Sequence, residues 1–115
     1  MNLFAYGSLM DQRVMTRVIG RTLRTGVPAT LYGYRKWETT LGYPAVLPEA
    51  GSSVEGLVYF NLSEADLKRL DLYENVHSTP PAYYRKLTTV QGAHGRISAE
   101  VYIGQLNYFR ARLKL

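Results

Sequence analysis

Apolar residues along the first forty positions fall in short bursts punctuated by glycine. Asn2 to Tyr6 is an apolar run of strand length, and Gly7-Ser8-Leu9 breaks it at once. Asp11 can then cap a helix carrying Val14, Met15, Val18 and Ile19 at helical spacing, with Gly20 as its stop. Thr22 to Thr40 holds β-branched and aromatic residues divided by Gly26, Pro28 and Gly33, which predicts two or three strand pieces. Gly42-Tyr43-Pro44 and Pro48 to Ser53 read as turns. Val54 to Leu62 is continuous enough to predict a strand buried on both faces.

The second half is patterned more sharply. Ser63 and Asp66 have capping-box spacing, and Leu62 and Leu67 are placed as a hydrophobic staple, so a helix starts here and runs to about Tyr73 or Glu74. The prolines of Asn75 to Ala82 predict a loop. Tyr84 to Val90 and Ile97 to Ile103 form a predicted hairpin around Gln91 to Gly95. FRARLKL, from Phe109, alternates basic and apolar residues and suits a solvated terminal strand or a helix. The order of strand, helix, several strands, helix and strands predicts an α+β fold with a curved or closed sheet, since two helices cannot cover a doubly wound one.

Composition narrows the class without changing this outline. At 115 residues the chain suits a single domain, residues 1–115, with 46% hydrophobic and 20% charged residues as in globular proteins. The absence of cysteine excludes disulfides and thiolate chemistry, no apolar run reaches membrane length, and no secretory leader is expected. A cytoplasmic location is the expectation. The net charge of +5 and ten tyrosines raise nucleic-acid binding, but the cations are scattered and never form a run. The sequence therefore argues against a nucleic-acid role, and it does not fix the oligomeric state.

Candidate chemistry is sparse. His77 and His94 stand in loops without ligand spacing, no serine sits in a nucleophile elbow, and the Gly7 turn lacks the second glycine and lysine of a phosphate loop. No metal or cofactor is expected. A carboxylate remains. At about 100° per residue, Glu74 lies within roughly 20° of Leu67 on the face that Leu67 and Leu70 define, while Asp66, Lys68 and Arg69 point elsewhere. Asp71 lies at the edge of that face. A carboxyl turned inward would be desolvated and its pKa raised, which suits a general base near neutrality. The alternative is a helix ending at Leu72, which would leave Glu74 as an ordinary loop residue. Gly7-Ser8-Leu9 is open in the same way: an ordinary strand-to-helix turn, or a set of backbone N–H groups aimed at one carboxylate.

Taken in order, Phe4-Ala5-Tyr6-Gly7-Ser8-Leu9, Gly42-Tyr43-Pro44-Ala45, Val54-Glu55-Gly56-Leu57-Val58-Tyr59, Leu70-Asp71-Leu72-Tyr73-Glu74 and Tyr83-Tyr84-Arg85 span nearly the whole chain. The set resembles the γ-glutamylcyclotransferase-like family, also called AIG2-like. The L-D-x-aromatic-E run looks most like the branch acting on γ-glutamylamines. The resemblance implies a small mixed β-barrel flanked by helices, with a pocket at the barrel mouth. It implies an enzyme that cyclises a γ-glutamyl amine or peptide to 5-oxoproline without a cofactor. Glu74 would be its catalytic acid/base; Tyr6, Gly7, Ser8 and Leu9 would hold the glutamyl group through the backbone, and Tyr83 would line the pocket. The loop Asn75 to Ala82 and the chain's early stop after the Glu100 to Ile103 strand depart from the family pattern. The alternative is a non-catalytic module of the same fold that holds a small carboxylate.

Overall fold

Strand alternation builds two separate cores in this chain. A computed structural model describes residues 1–115. It contains strands β1 (Leu3–Ala5), β2 (Val27–Trp37), β3 (Ala45–Tyr59), β4 (Tyr83–Gly92) and β5 (Gly95–Gly104). Helices are α1 (Gln12–Ile19), α2 (Glu64–Tyr73) and the single turn α3 (Leu106–Phe109). The strands close a barrel in the order β1-β3-β2-β4-β5, antiparallel throughout except where Leu3 of β1 pairs in parallel with Glu100 of β5. Phe4, Val54, Val58, Val101 and Ile103 point to one cluster within the barrel. Their neighbours Leu3, Ala5, Tyr59 and Tyr102 point the other way, joining Met15, Ile19, Leu67 and Leu70 from the helices.

Both helix starts are as the sequence predicts. Asp11 caps α1 by accepting from the Arg13 N–H, and Gly20 ends it in the left-handed conformation at φ +77°. Ser63 and Asp66 form the reciprocal capping box of α2. Asp66, expected to face away from the packing side, is instead buried at 2% exposure. Arg21, at 2.5 Å, neutralises it and makes that burial tolerable.

The structure departs from the expected pattern in five places. Thr22 to Thr40 holds one eleven-residue strand, preceded by irregular chain, because Gly33 takes up a bulge instead of ending the strand. Pro48 to Ser53 is not a turn between strands: Tyr32 pairs with Ser53 and Tyr34 with Pro48, so β3 bulges out over Glu49 to Ser52 and continues. The Val54 to Leu62 segment is buried on both faces only where it pairs with β1, with Val58 in the barrel and Tyr59 against the helices; Glu55 and Phe60 are exposed, since helices cover only part of the barrel exterior. The hairpin is longer than expected at both ends and turns at Ala93-His94. FRARLKL is neither a solvated strand nor a helix: Phe109 ends α3 fully buried, and Leu113 bridges to Thr39. No helix is long and apolar enough to cross a membrane.

Barrel closure depends on close approach at Gly56. A Cβ there would lie 2.3 Å from the Ala5 carbonyl oxygen and 2.7 Å from the Phe4 ring. Both are fixed parts of β1, so a methyl group must push the strand away. Gly56→Ala is expected to cost about 2–3 kcal/mol and to lower the melting temperature by on the order of 10 °C. Thermal unfolding followed by circular dichroism measures this, and an unchanged Tm would contradict it.

Candidate functional site

A cavity of about 310 Å³ opens where β1 leaves the barrel, between the end of α2 and the start of β4. Every residue singled out in the sequence lines it: Tyr6, Gly7, Ser8, Leu9, Glu74 and Tyr83. Residues 65 positions apart therefore meet in one wall system.

Three ties hold the loop after β1. The Tyr6 hydroxyl donates to the Tyr102 carbonyl at 2.5 Å, Ser8 Oγ and the Tyr73 hydroxyl share a 2.8 Å hydrogen bond, and the Tyr59 hydroxyl donates to the Met10 carbonyl at 3.2 Å. Ser8 to Met10 form a 3₁₀ turn, whose first N–H groups have no carbonyl partner within the turn. Gly7 packs so near Pro44 that a Cβ would stand 3.2 Å from its ring. The serine hydroxyl thus joins the loop to α2, and Tyr6 to Leu9 line the cavity.

Glu74 is the C-cap of α2. Its own N–H donates to the Leu70 carbonyl, so the helix includes Tyr73 and reaches Glu74 instead of stopping at Leu72. Half-buried at the cavity wall, the carboxyl has its pKa pushed from an ordinary 4.5 to about 7, and the whole cause is desolvation. Tyr6, Tyr83 and Tyr102 are also driven upward by burial, with the Glu74 charge adding to it. Tyr83 donates its hydroxyl hydrogen to the Pro44 carbonyl at 2.7 Å. These phenols stay neutral near pH 7. Glu74 is the group in this cavity that changes charge there.

The last turn of α2 is clamped from below. Asp71, 7% exposed, accepts from Arg85 Nε at 2.9 Å, from Arg85 Nη2 at 3.3 Å and from the Tyr102 hydroxyl at 2.7 Å. Arg85 also pairs with Glu100 at 3.4 Å. These contacts join α2 to β4 and β5 three residues before Glu74, and Tyr102 itself faces the cavity. Sequence reading missed Tyr102, Asn75 and the clamp, and gave Tyr73 no role although its Leu70 to Glu74 motif contains it. Tyr43, Pro44, Asp71 and Arg85 lay inside its motifs but carried no role. The signal available was Asp71 at the edge of the apolar helix face together with the Tyr-Tyr-Arg run at the start of β4.

No three histidine, cysteine, aspartate or glutamate side chains gather to hold a metal ion. The model for the family described as gamma-glutamyl cyclotransferase, AIG2-like, matches residues 3–113. A Methanocaldococcus jannaschii protein, named as a gamma-glutamylcyclotransferase and as a candidate RNase, is 31% identical over 103 residues, which are 89% of this chain and 44% of that one. Protein AIG2 C of Arabidopsis thaliana is 35% identical over 74 residues, 64% of this chain and 44% of its own length. The chain thus spans less than half the length of these two curated relatives. A solved gamma-glutamyl cyclotransferase superposes with a TM-score of 0.76 over 91% of this chain and 66% of that one. Its 19% identity speaks to the fold alone.

The clamp is testable apart from any activity. Arg85→Ala should cost about 2–3 kcal/mol by leaving Asp71 buried with one donor. Adding Asp71→Asn should recover about half of that loss, a coupling that urea unfolding of the double-mutant cycle measures. Strictly additive losses would contradict the clamp.

Proposed function

The chain belongs to the gamma-glutamyl cyclotransferase, AIG2-like family, and from that premise we propose that it cyclises γ-glutamyl amides to 5-oxoproline, releasing the amine, with Glu74 as acid/base. The observation that carries this reading is the half-buried Glu74 carboxyl, raised to about 7, in one cavity with the Gly7-Ser8-Leu9 loop.

The backbone N–H groups of the Tyr6 to Leu9 loop would hold the substrate's α-carboxylate, and Tyr83 would form the wall against which the glutamyl chain folds. The ionised Glu74 takes a proton from the α-ammonium group and frees its lone pair. That nitrogen attacks the γ-carbonyl carbon, forming the N–C bond of a five-membered lactam. Collapse of the tetrahedral intermediate breaks the bond to the leaving nitrogen, and Glu74 returns its proton there. The ring nitrogen's surplus proton also ends on the released amine, which departs as an ammonium ion, so protons and charge balance. Nucleophile and electrophile belong to one molecule, so holding the folded conformer supplies much of the rate. The purely carboxylate-binding alternative fits less well, because Glu74 would repel the anion it was meant to hold.

Glu74→Gln tests the assignment in two ways. Release of 5-oxoproline from a panel of γ-glutamyl amides should fall by at least about 100-fold, and the parent kcat/KM should rise with pH through about 7. Stability moves oppositely. The folded state holds the Glu74 proton more tightly than the unfolded state between 4.5 and 7, so stability contributed at that group falls as pH rises across this window. The glutamine variant lacks that loss and should melt no lower than the parent at pH 8. Undiminished turnover by the variant would remove Glu74 from the chemistry.

A further inference from the structure

Tyrosines aside, the buried polar residues are Asp66, Asp71 and Thr39. Arg21 and Arg85 neutralise the first two. Thr39, 2% exposed, does not line the cavity, so its burial needs a reason of its own. Its hydroxyl holds the turn between β2 and β3: Oγ1 donates to the Tyr43 carbonyl at 2.5 Å and accepts from the Leu41 N–H at 3.2 Å. That turn ends at Pro44, which touches two sides of the cavity. A Cβ on Gly7 would stand 3.2 Å from the Pro44 ring, and the Pro44 carbonyl accepts from the Tyr83 hydroxyl at 2.7 Å.

The segment after α3 ties the same turn down from outside. The Thr40 N–H donates to the Arg112 carbonyl and the Lys114 N–H to the Glu38 carbonyl, each at 2.8 Å, with Leu113 bridged to Thr39. Phe109, just before this segment, is fully buried with its ring 5.2 Å from that of Tyr83. None of residues 105–115 lines the cavity. Resting on the reaction proposed above, we infer that Thr39 and the Arg112 to Lys114 segment position Pro44, and through it Gly7 and Tyr83, to receive the substrate's glutamyl group. Thr39 is a positioning residue, acting through the Tyr43 carbonyl and touching no reacting atom. The glutamyl α-carboxylate keeps its charge throughout the reaction, so a looser hold on it weakens ground and transition states alike and raises KM. Glu74 is anchored separately, through Asp71, Arg85 and Tyr102.

Steady-state release of 5-oxoproline from γ-glutamyl-ethylamine tests this. Thr39→Val keeps the side chain's shape and removes its hydroxyl. It should raise KM about tenfold with kcat within about twofold of the parent, and the pH midpoint of kcat/KM should not move. Thr39→Ser keeps the hydroxyl and should hold KM within about twofold of the parent. At the exposed end of the segment, Lys114→Pro removes one N–H donor and should raise KM about threefold, whereas Lys114→Ala keeps the donor and the parent KM. This second pair decides the matter if Thr39→Val does not fold. A threonine with a purely structural role would lower the melting temperature of Thr39→Val and leave the KM of the folded protein unchanged. That result, a fall in kcat at constant KM, or equal KM for the two Lys114 variants would overturn the inference while leaving the cyclisation reading in place. A parent that releases no 5-oxoproline from this conjugate or from the wider panel of γ-glutamyl amides would overturn that reading and this inference with it.

Discussion

A half-buried carboxyl group in a cavity lined by tyrosines and no cation is costly to ionise, and the end of α2 is built to hold it there. Glu74 would relax into solvent if the end of α2 could fray. It is held by its place in the chain. The capping box at Ser63 fixes where the helix begins, Leu67 and Leu70 fix which face packs, and Asp71 ties the last turn to Arg85 and Tyr102. The neighbouring charge on Asp71 is neutralised by Arg85. One helix therefore carries two carboxylates three residues apart with opposite environments, one paired with a cation and one half-buried without one.

The same barrel geometry brings the opposite wall into place. β1 is three residues long and joins the two ends of the sheet, pairing with β3 on one side and β5 on the other. The loop that follows it emerges beside the end of α2, and Tyr6, Ser8 and Tyr59 fix it there through hydroxyl bonds. Three of the chain's ten tyrosines, Tyr6, Tyr59 and Tyr73, make these ties. Each buried ring fills apolar space, and its hydroxyl satisfies a backbone carbonyl or carboxylate.

How far the sequence exposed this depends on which contacts were local. The starts of α1 and α2 were legible because Asp11, Ser63 and Asp66 cap within their own first turns. The inward aspect of Glu74 was legible from helical period alone, although its status as C-cap required the structure. Asp66 was misjudged because a helical projection sends charges outward, whereas Arg21, 45 residues earlier, neutralises this one. Pro48 to Ser53 carries the residues of a turn, and only the register of β2 against β3 shows it to be a bulge. The Asp71–Arg85–Tyr102 clamp joins three elements that meet through barrel closure, which no window along the chain displays.

Burial alone gives the cavity a carboxyl poised to exchange a proton near neutral pH. Carbon-detected NMR titration of the Glu74 side-chain carboxyl, assigned by comparison with Glu74→Gln, measures it directly. The expected midpoint is near 7. A midpoint at the ordinary value near 4.5 would show a solvated carboxylate and contradict it.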